Sequence, residues 1–196
     1  MFYPRTYLGK IFRHYLLMPT HWGKVRVQDY IGKILFPKGI EIRNHAGLKF
    51  KLSPNDWMTR IILLHSAYEK ESLLLAKRIL KDGGIFVDIG ANFGLYSCLL
   101  THSSPKIQTI AVEPNYMVVS KLINNIQINN LGQKVKVINT AISKSEQLLR
   151  LEINNMGNLG TARYEADGAG YLNVAGYPLK NILKSNNLST IDQIPF

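Results

Sequence analysis

A glycine-containing turn follows a short apolar run near the middle of the chain. Residues 87–97 read Val-Asp-Ile-Gly-Ala-Asn-Phe-Gly-Leu-Tyr-Ser, which is typical of a strand that turns through glycines into a helix. Glycine tolerates positive φ angles, and its missing Cβ lets a ligand approach the main chain. The turn that contains Gly90 and Gly94 is therefore predicted to cradle a nucleotide-type cofactor.

The charge beside this turn distinguishes between two kinds of cofactor. Asp88 falls at the end of the predicted strand, where its carboxylate would repel the diphosphate of NAD. The spacing of Gly90 and Gly94 also differs from the G-x-G-x-x-G fingerprint of dinucleotide sites. A ligand with an ammonium and a sulfonium group would instead gain a charge-assisted hydrogen bond and Coulomb attraction from Asp88. S-Adenosylmethionine is such a ligand, and an NAD-dependent oxidoreductase is the disfavoured alternative.

A second carboxylate lies 25 positions beyond Asp88. The run Ile107–Val112 is mostly apolar and ends at Glu113, which Pro114 and Asn115 follow. In nucleotide-binding βαβ units, an acidic residue about 20 positions beyond the glycine turn accepts hydrogen bonds from ribose hydroxyls. Glu113 is predicted to have that role, and the two carboxylates together make a stronger signal than either alone.

The pattern around these residues predicts the fold. Apolar strands over 85–89, 107–112 and 135–138 alternate with segments of helical spacing, which favours an α/β, Rossmann-like doubly wound parallel sheet. Because crossovers are right-handed, the loops after the strands should meet at one edge of the sheet, with residues 139–141 beside the two carboxylates. A hairpin over 40–52 and a helix over Tyr68–Leu80 are predicted ahead of this sheet.

Beyond the third strand the pattern changes. Gln147–Ile153 alternates apolar and polar residues and predicts a further strand. The glycine- and asparagine-rich stretches that follow, over 154–160 and 168–170, are interpreted as part of a hairpin and a mobile loop.

The length and composition favour one soluble globular unit. The chain has 196 residues, of which 46% are hydrophobic and 10% aromatic, so it can bury a substantial core. Cys98 is the single cysteine, and a buried apolar role is favoured over a nucleophilic one. The five histidines show no metal-ligand spacing, so no metal site is predicted. The sequence shows no secretion signal and no apolar run of about 18 residues, which favours a cytoplasmic location.

The first part of the chain is strongly basic. Residues 1–60 contain 11 Lys and Arg against 3 Asp and Glu, a balance of +8 within a total of +11. We interpret residues 1–39 as a basic amphipathic extension and 40–196 as the Rossmann-like domain. Apolar residues recur there at helical spacing, namely Tyr7, Leu8, Ile11, Phe12, Tyr15 and Leu16. This stripe is predicted to pack on the protein itself. Peripheral contact with an anionic membrane is the alternative, and a nucleic-acid partner is disfavoured.

Five segments carry a family resemblance. They are residues 66–69 (Ser-Ala-Tyr-Glu), the glycine turn at 87–97, residues 112–115 (Val-Glu-Pro-Asn), 141–143 (Ala-Ile-Ser) and 189–192 (Ser-Thr-Ile-Asp). Over residues 45–194 the chain resembles the FkbM family of S-adenosylmethionine-dependent methyltransferases. These are class I enzymes that typically methylate hydroxyl groups on sugars and polyketides.

The resemblance implies an O-methyltransferase that acts on a small-molecule or glycan acceptor, such as a sugar or a related secondary metabolite. It implies that the glycine turn holds the methionine end of S-adenosylmethionine, Glu113 the ribose, and Thr140 with Ala141 the adenine edge. The predicted cofactor-binding residues are Asp88, Gly90, Ala91, Asn92, Gly94, Leu95, Tyr96, Glu113, Pro114, Asn115, Thr140 and Ala141. Glu69 is a candidate for the rim of the pocket, with a structural role at the start of a helix as the alternative.

The sequence departs from the family pattern after residue 192. There the family continues with a buried strand of the Lys-Ile-Asp-Val-Glu-Gly type, whereas this sequence ends at Phe196. We therefore expect a shortened methyltransferase, with a catalytically inactive cofactor-binding remnant as the alternative. His65 and His102 could approach an acceptor, but lone histidines are usually structural, and no catalytic base is assigned.

Overall fold

The computed structural model describes five stretches of the chain, which are residues 2–19, 23–65, 69–152, 163–164 and 171–186. The first elements are β1 (Phe2–Pro4), α1 (Tyr7–Leu17), α2 (Lys24–Leu35), β2 (Ile40–Asn44), β3 (Lys49–Leu52) and α3 (Trp57–His65). The three strands form an antiparallel sheet in the order β1-β2-β3.

The predicted hairpin is formed by β2 and β3. Ile42 lies opposite Phe50, and both side chains are fully buried, whereas the alternate positions face outward. Between the strands, the side chain of Asn44 accepts a hydrogen bond from the main-chain N–H of Leu48 at 2.9 Å, which fixes the turn. The prediction of a hairpin with one solvated face is confirmed.

The predicted N-terminal helix is also present, as α1. Phe12 and Leu16 are buried in the main core, as expected for a stripe that packs on its own protein. Tyr7, Leu8 and Ile11 belong to the same predicted stripe but are exposed. The stripe is therefore divided into a packed part and a part that faces solvent.

The middle of the chain forms α4 (Lys70–Ile79), β4 (Gly84–Ile89), α5 (Leu95–Ser103), β5 (Ile107–Val112), α6 (Tyr116–Ile128) and β6 (Val135–Ile138). The strands form a parallel sheet in the order β4-β5-β6. Asp88 pairs with Ala111, and Val112 with Ile138, so the carboxyl ends of all three strands share one edge. The predicted Rossmann-like α/β fold is confirmed.

The position of each strand in this sheet explains its burial. β5 is central, and its side chains are buried on both faces except for Gln108, as an apolar parallel strand requires. Among the described residues β4 pairs with β5 alone, and its side chains are half-buried or exposed. The helix that was predicted over Tyr68–Leu80 is observed as α4 over Lys70–Ile79, with Glu69 as its N-cap, and Tyr68 lies outside the described stretches. The helix buries none of its residues.

Asn125 of α6 and Asn129, the C-cap residue of that helix, join the hairpin to the middle part of the chain. Asn125 accepts a hydrogen bond from the Lys51 N–H at 2.8 Å and donates one to the carbonyl of Phe93 at 2.9 Å. Asn129 accepts from the Lys49 N–H at 2.8 Å and donates to the Lys49 carbonyl at 2.7 Å. The side-chain amides therefore occupy the outer edge of β3, where unpaired main-chain groups would otherwise be left.

The last elements are β7 (Ala141–Ile142), β8 (Gln147–Glu152), β9 (Arg163–Tyr164), β10 (Tyr171–Tyr177) and α7 (Leu179–Ser185). They include a four-stranded sheet in the order β7-β10-β8-β9. The strand predicted over 147–153 is confirmed, whereas the loops predicted over 154–160 and 168–170 lie outside the described residues. No helix in the described part of the chain is both long and apolar enough to cross a bilayer.

Candidate functional site

The glycine turn is attached to the end of the neighbouring strand β5. The main-chain N–H groups of Gly90 and Ala91 both donate to the carbonyl of Val112, at 2.9 and 3.0 Å. The N–H of Gly94 donates to the carbonyl of Ala91 at 2.8 Å, which closes the turn before α5 begins. These bonds satisfy three donors of the loop and fix it between the ends of β4 and β5.

The two glycines of the turn are required for different reasons. Gly94 has a φ of +87°, and a Cβ there would lie 2.5 Å from Cδ1 of Leu122 on α6. Gly90 has a φ of +76°, and no atom lies within 4 Å of the position that its Cβ would take. The turn is therefore packed tightly against α6 at Gly94 and open to an approaching molecule at Gly90.

Glu113 connects the end of β5 to the turn. Its Oε2 accepts a hydrogen bond from the Asn92 N–H, and its Oε1 accepts one from the Asn115 N–H, both at 2.9 Å. Asn92 is held in the left-handed region, with a φ of +50°. Burial raises the pKa of Glu113, and these main-chain donors act in the opposite direction. The residue is thus a buried carboxylate at the position where the sequence predicts a ribose contact.

Asp88 is near the end of β4, and its carboxylate is bonded to the first turn of α5. Its Oδ2 accepts hydrogen bonds from the Ser97 N–H at 3.0 Å and from the Ser97 hydroxyl at 2.5 Å. Burial raises the pKa of Asp88, and both bonds from Ser97 oppose that rise. The charge of Asp88 also raises the pKa of Glu113, so the two carboxylates interact as neighbours. The sequence prediction that they meet at one edge of the sheet is confirmed.

Cys98 follows directly on α5. It is fully buried, and burial together with the charge of Asp88 raises the pKa of its thiol to about 12. A thiol that stays protonated is a poor nucleophile. The predicted apolar role of this cysteine is confirmed.

We expect the free energy of unfolding to fall as the pH rises through the pKa of Asp88. The ordinary pKa of this carboxyl is 3.8, and folding raises it. Between the two values the folded chain binds more protons than the unfolded chain, so the contribution is fully present below 3.8 and is lost above the folded pKa. Urea unfolding at intervals between about pH 4 and about pH 8 should show a smaller fall for Asp88→Asn, whose amide oxygen still accepts from Ser97.

The matched control for this measurement is Glu71→Gln, which removes an exposed carboxylate from α4. It should keep the wild-type dependence on pH. Identical curves for Asp88→Asn and the wild type would show that burial of Asp88 carries no such cost.

A cavity of about 520 Å³ opens beside the turn. That volume falls within the range of small-ligand sites. Six of the predicted cofactor residues line it, namely Asp88, Gly90, Ala91, Asn92, Leu95 and Tyr96. Gly94, Glu113, Pro114 and Asn115 do not line it, and Glu113 reaches it only through its bond to Asn92. Trp57 and Met58 of α3 also line the cavity, and no local sequence signal predicts them, because they are brought there by tertiary packing.

Glu69 forms part of the rim of this cavity. Its Oε2 accepts a hydrogen bond from the Tyr96 hydroxyl at 2.6 Å, and both residues line the cavity. Glu69 takes the N-cap position of α4 with a φ of +48°, but its side chain makes no capping hydrogen bond. The carboxylate of Glu69 therefore bonds Tyr96 at the rim of the cavity and does not cap the helix.

The segment after β6 contacts the end of β5 through Asn139. Asn139 donates hydrogen bonds to the carbonyls of Glu113 and Pro114, at 2.7 and 2.9 Å. Thr140 is buried, and its hydroxyl donates to the Ala175 carbonyl at 2.6 Å. Thr140 lines a separate cavity of about 500 Å³, between β6 and α7, and not the cavity at the glycine turn. Its predicted contact with adenine, and that of Ala141, stay predictions.

The two histidines considered as candidate bases lie on different helices. His65 is exposed at the last position of α3. His102 lies near the far end of α5, roughly 10 Å along the helix from Leu95 at about 1.5 Å per residue. Among the described residues, no group of three His, Cys, Asp or Glu side chains could hold a metal ion.

Comparisons with known proteins find no sequence match and only low structural similarity. No protein-family model matches the chain, and no curated protein sequence does either. One similar solved structure is the C-terminal domain of precorrin-6Y C5,15-methyltransferase from Rhodobacter capsulatus, with 18% identity and a TM-score of 0.33 over 38% of this chain and 41% of that one. FkbM membership therefore stays a prediction.

Two further structures contain ligands. One is a SAM-dependent methyltransferase from Thiobacillus denitrificans with S-adenosyl-L-homocysteine, at 15% identity and a TM-score of 0.33 over 40% of this chain and 34% of that one. The other is P. horikoshii TYW2 with MeSAdo, at 16% identity and a TM-score of 0.43 over 64% of this chain and 52% of that one. The chain spans about two fifths of the length of the first structures that it matches. Similarity at this level assigns no function, which has to be inferred from the site itself.

Proposed function

We propose that the chain binds S-adenosylmethionine at the glycine turn and belongs to an O-methyltransferase. The observation that supports this most directly is the pairing of Asp88 and Glu113. The half-buried Asp88 and the buried Glu113 interact and flank a turn whose main chain is open at Gly90, beside a cavity of ligand size. A cluster of negative charge in a partly dry site attracts a cationic ligand and repels an anionic one.

The residues present fit this cofactor. Glu113 does not line the cavity but holds the turn beside it through the hydrogen bond from Asn92, and the second lone pair on each of its oxygens would accept from a ribose hydroxyl that reached it there. Asp88 uses Oδ2 for Ser97, which leaves Oδ1 for a cationic group in the cavity that it lines. S-Adenosylmethionine supplies a methyl group on a sulfonium, which is already activated for displacement.

The same contacts disfavour a dinucleotide. A diphosphate binds at glycine turns through free main-chain N–H groups and a helix N-terminus. Here the N–H groups of Gly90, Ala91 and Asn92 all donate within the protein. The first turn of α5 is also already bonded to the carboxylate of Asp88 through Ser97. A diphosphate would therefore be repelled by the carboxylate of Asp88 and would find no free main-chain N–H group at Gly90, Ala91 or Asn92.

The task of the protein in such a reaction is mainly to orient the reactants and to exclude water. Trp57 and Met58 supply apolar surface to the cavity. The hydroxyl of the acceptor, which we take to be a sugar or a related secondary metabolite, must also lose its proton to a base. The alternative, a remnant that binds the cofactor without transferring its methyl group, would retain the site and lack that base.

Calorimetric titration of the full chain separates these functions. We expect saturable binding of S-adenosylmethionine and of S-adenosylhomocysteine, and no heat of binding with NAD, because only the first two lack a diphosphate. A methyl-transfer assay with a radiolabelled methyl donor and a panel of sugar hydroxyls then distinguishes the enzyme from the remnant. Saturable binding of NAD without any response to S-adenosylmethionine would remove the proposal.

A further inference from the structure

The helix α1 presents part of its apolar stripe to solvent, next to the part that packs on the core. Tyr7, Leu8 and Ile11 are 78%, 47% and 47% exposed, whereas Phe12 and Leu16 are buried. Residues three and four positions apart lie next to each other on a helix, so Ile11 adjoins both Tyr7 and Leu8. The apolar surface of the helix is therefore wider than the part of it that the core covers.

The helix α2 repeats this arrangement. Val27, Tyr30 and Ile34 are 40%, 68% and 57% exposed and are spaced three and four positions apart. The adjoining side of α2 packs on the main core through Ile31 and Leu35, which are partly buried. We call the six exposed residues of α1 and α2, together with the basic residues beside them, the basic two-helix face.

The charge of this face is positive and uncompensated. Exposed Lys10 lies three positions after Tyr7, and exposed Lys33 lies three positions after Tyr30. Neither lysine takes part in the ion pairs found among the described residues. The three carboxylates within residues 1–60 each lie within 4.0 Å of a basic side chain, in the pairs Arg5–Glu41, Arg60–Asp29 and Lys121–Asp56.

We propose that the basic two-helix face binds peripherally to an anionic phospholipid bilayer. Exposed aromatic and aliphatic side chains flanked by lysines match the boundary between acyl chains and negatively charged headgroups. A nucleic acid would satisfy the lysines through its phosphates but would leave Ile11 and Ile34 in water. The combination of charge and aliphatic surface therefore favours lipid. This proposal does not depend on the function of the glycine turn.

Co-sedimentation of the full chain with vesicles tests this. We expect binding to vesicles of phosphatidylcholine with phosphatidylserine, much weaker binding to pure phosphatidylcholine, and loss of binding as salt is raised. The double variant Ile11→Ser with Ile34→Ser should reduce the partition coefficient by roughly tenfold or more, since it removes the inserting side chains. The matched control is Ile123→Ser, because Ile123 is an isoleucine of α6 with 40% exposure.

A second pair of variants tests the electrostatic contribution of the lysines to vesicle binding. Lys10→Gln with Lys33→Gln should reduce the partition coefficient by about fivefold for each lysine. Lys180→Gln with Lys184→Gln removes two exposed lysines from α7 and should leave binding near the wild-type level. Circular dichroism and urea unfolding establish that each variant is folded.

Several outcomes would overturn the proposal. One is a wild-type chain that ignores anionic vesicles at low salt, and another is equal loss of binding in the test and control variants. Binding to an oligonucleotide without binding to vesicles would identify the face as a nucleic-acid surface. A dimer in light scattering that the isoleucine variants dissociate, again without vesicle binding, would identify it as a contact between two copies of the chain.

Discussion

Replacement of Gly94 by alanine is expected to lower the free energy of unfolding by about 2–5 kcal/mol. The left-handed φ of +87° costs an alanine about 1–2 kcal/mol. The added methyl group would lie 2.5 Å from Cδ1 of Leu122, and overpacking of this kind costs about 1–3 kcal/mol more. Urea unfolding followed by circular dichroism measures the sum.

The matched control is Gly132→Ala, at a glycine where nothing lies within 4 Å of the added Cβ. It should change the free energy of unfolding by no more than about 1 kcal/mol. If Gly94→Ala lowered the free energy of unfolding no more than Gly132→Ala does, the turn would not pack closely against α6. The position assigned to the glycine turn would then also be wrong.

Replacement of Glu113 by alanine is expected to weaken the binding of S-adenosylmethionine by about 1–3 kcal/mol, the scale for losing hydrogen bonds to a charged group. That corresponds to roughly a 5- to 150-fold rise in Kd. The carboxylate would be lost both as the proposed ribose acceptor and as the partner of Asn92 and Asn115. Calorimetric titration of the folded variant gives the affinity directly.

Two further variants separate these contributions. Glu113→Gln retains one oxygen acceptor in the same shape, so it should fall between the wild type and Glu113→Ala. Glu146→Ala removes an exposed carboxylate that lines the other cavity, beside Thr140, and should leave the affinity unchanged if the cofactor lies at the glycine turn. An unchanged Kd for Glu113→Ala together with a weakened one for Glu146→Ala would move the site to that second cavity.

The features that could be predicted from the sequence are those with local causes. The period of the apolar residues determines β4, α5 and β5, and the right-handed crossover then requires Asp88 and Glu113 to share one edge of the sheet. The glycine turn is equally local, since the left-handed φ at Gly90 and Gly94 is reflected directly in the residue type.

The features that could not be predicted depend on distant partners. The strand β10 contains Asn173 and Gly176 and lacks a strong strand pattern; it is stabilised by pairing with β8 on one side and β7 on the other. The same pairing brings the Ala175 carbonyl to the hydroxyl of Thr140, which lines the cavity between β6 and α7. Trp57 and Met58 reach the candidate site only because α3 packs there.

The exposed side of α4 could not be predicted either. Its sequence has an amphipathic pattern, yet all its residues are at least partly exposed. Periodicity identifies the face of a helix that is suited to burial, but it does not reveal whether a partner covers that face.

The amides of Asn125 and Asn129 limit how this molecule could be divided for engineering. A fragment that began at Lys70 would retain the turn and both carboxylates, but it would lose the main-chain groups of Lys49 and Lys51 to which these amides are bonded. It would also remove Phe50, against which the aromatic ring of Phe93 packs edge-on at a centroid distance of 6.2 Å. The smallest autonomous version of the candidate site therefore has to include the upstream hairpin, because without it Asn125 and Asn129 would lose their main-chain partners.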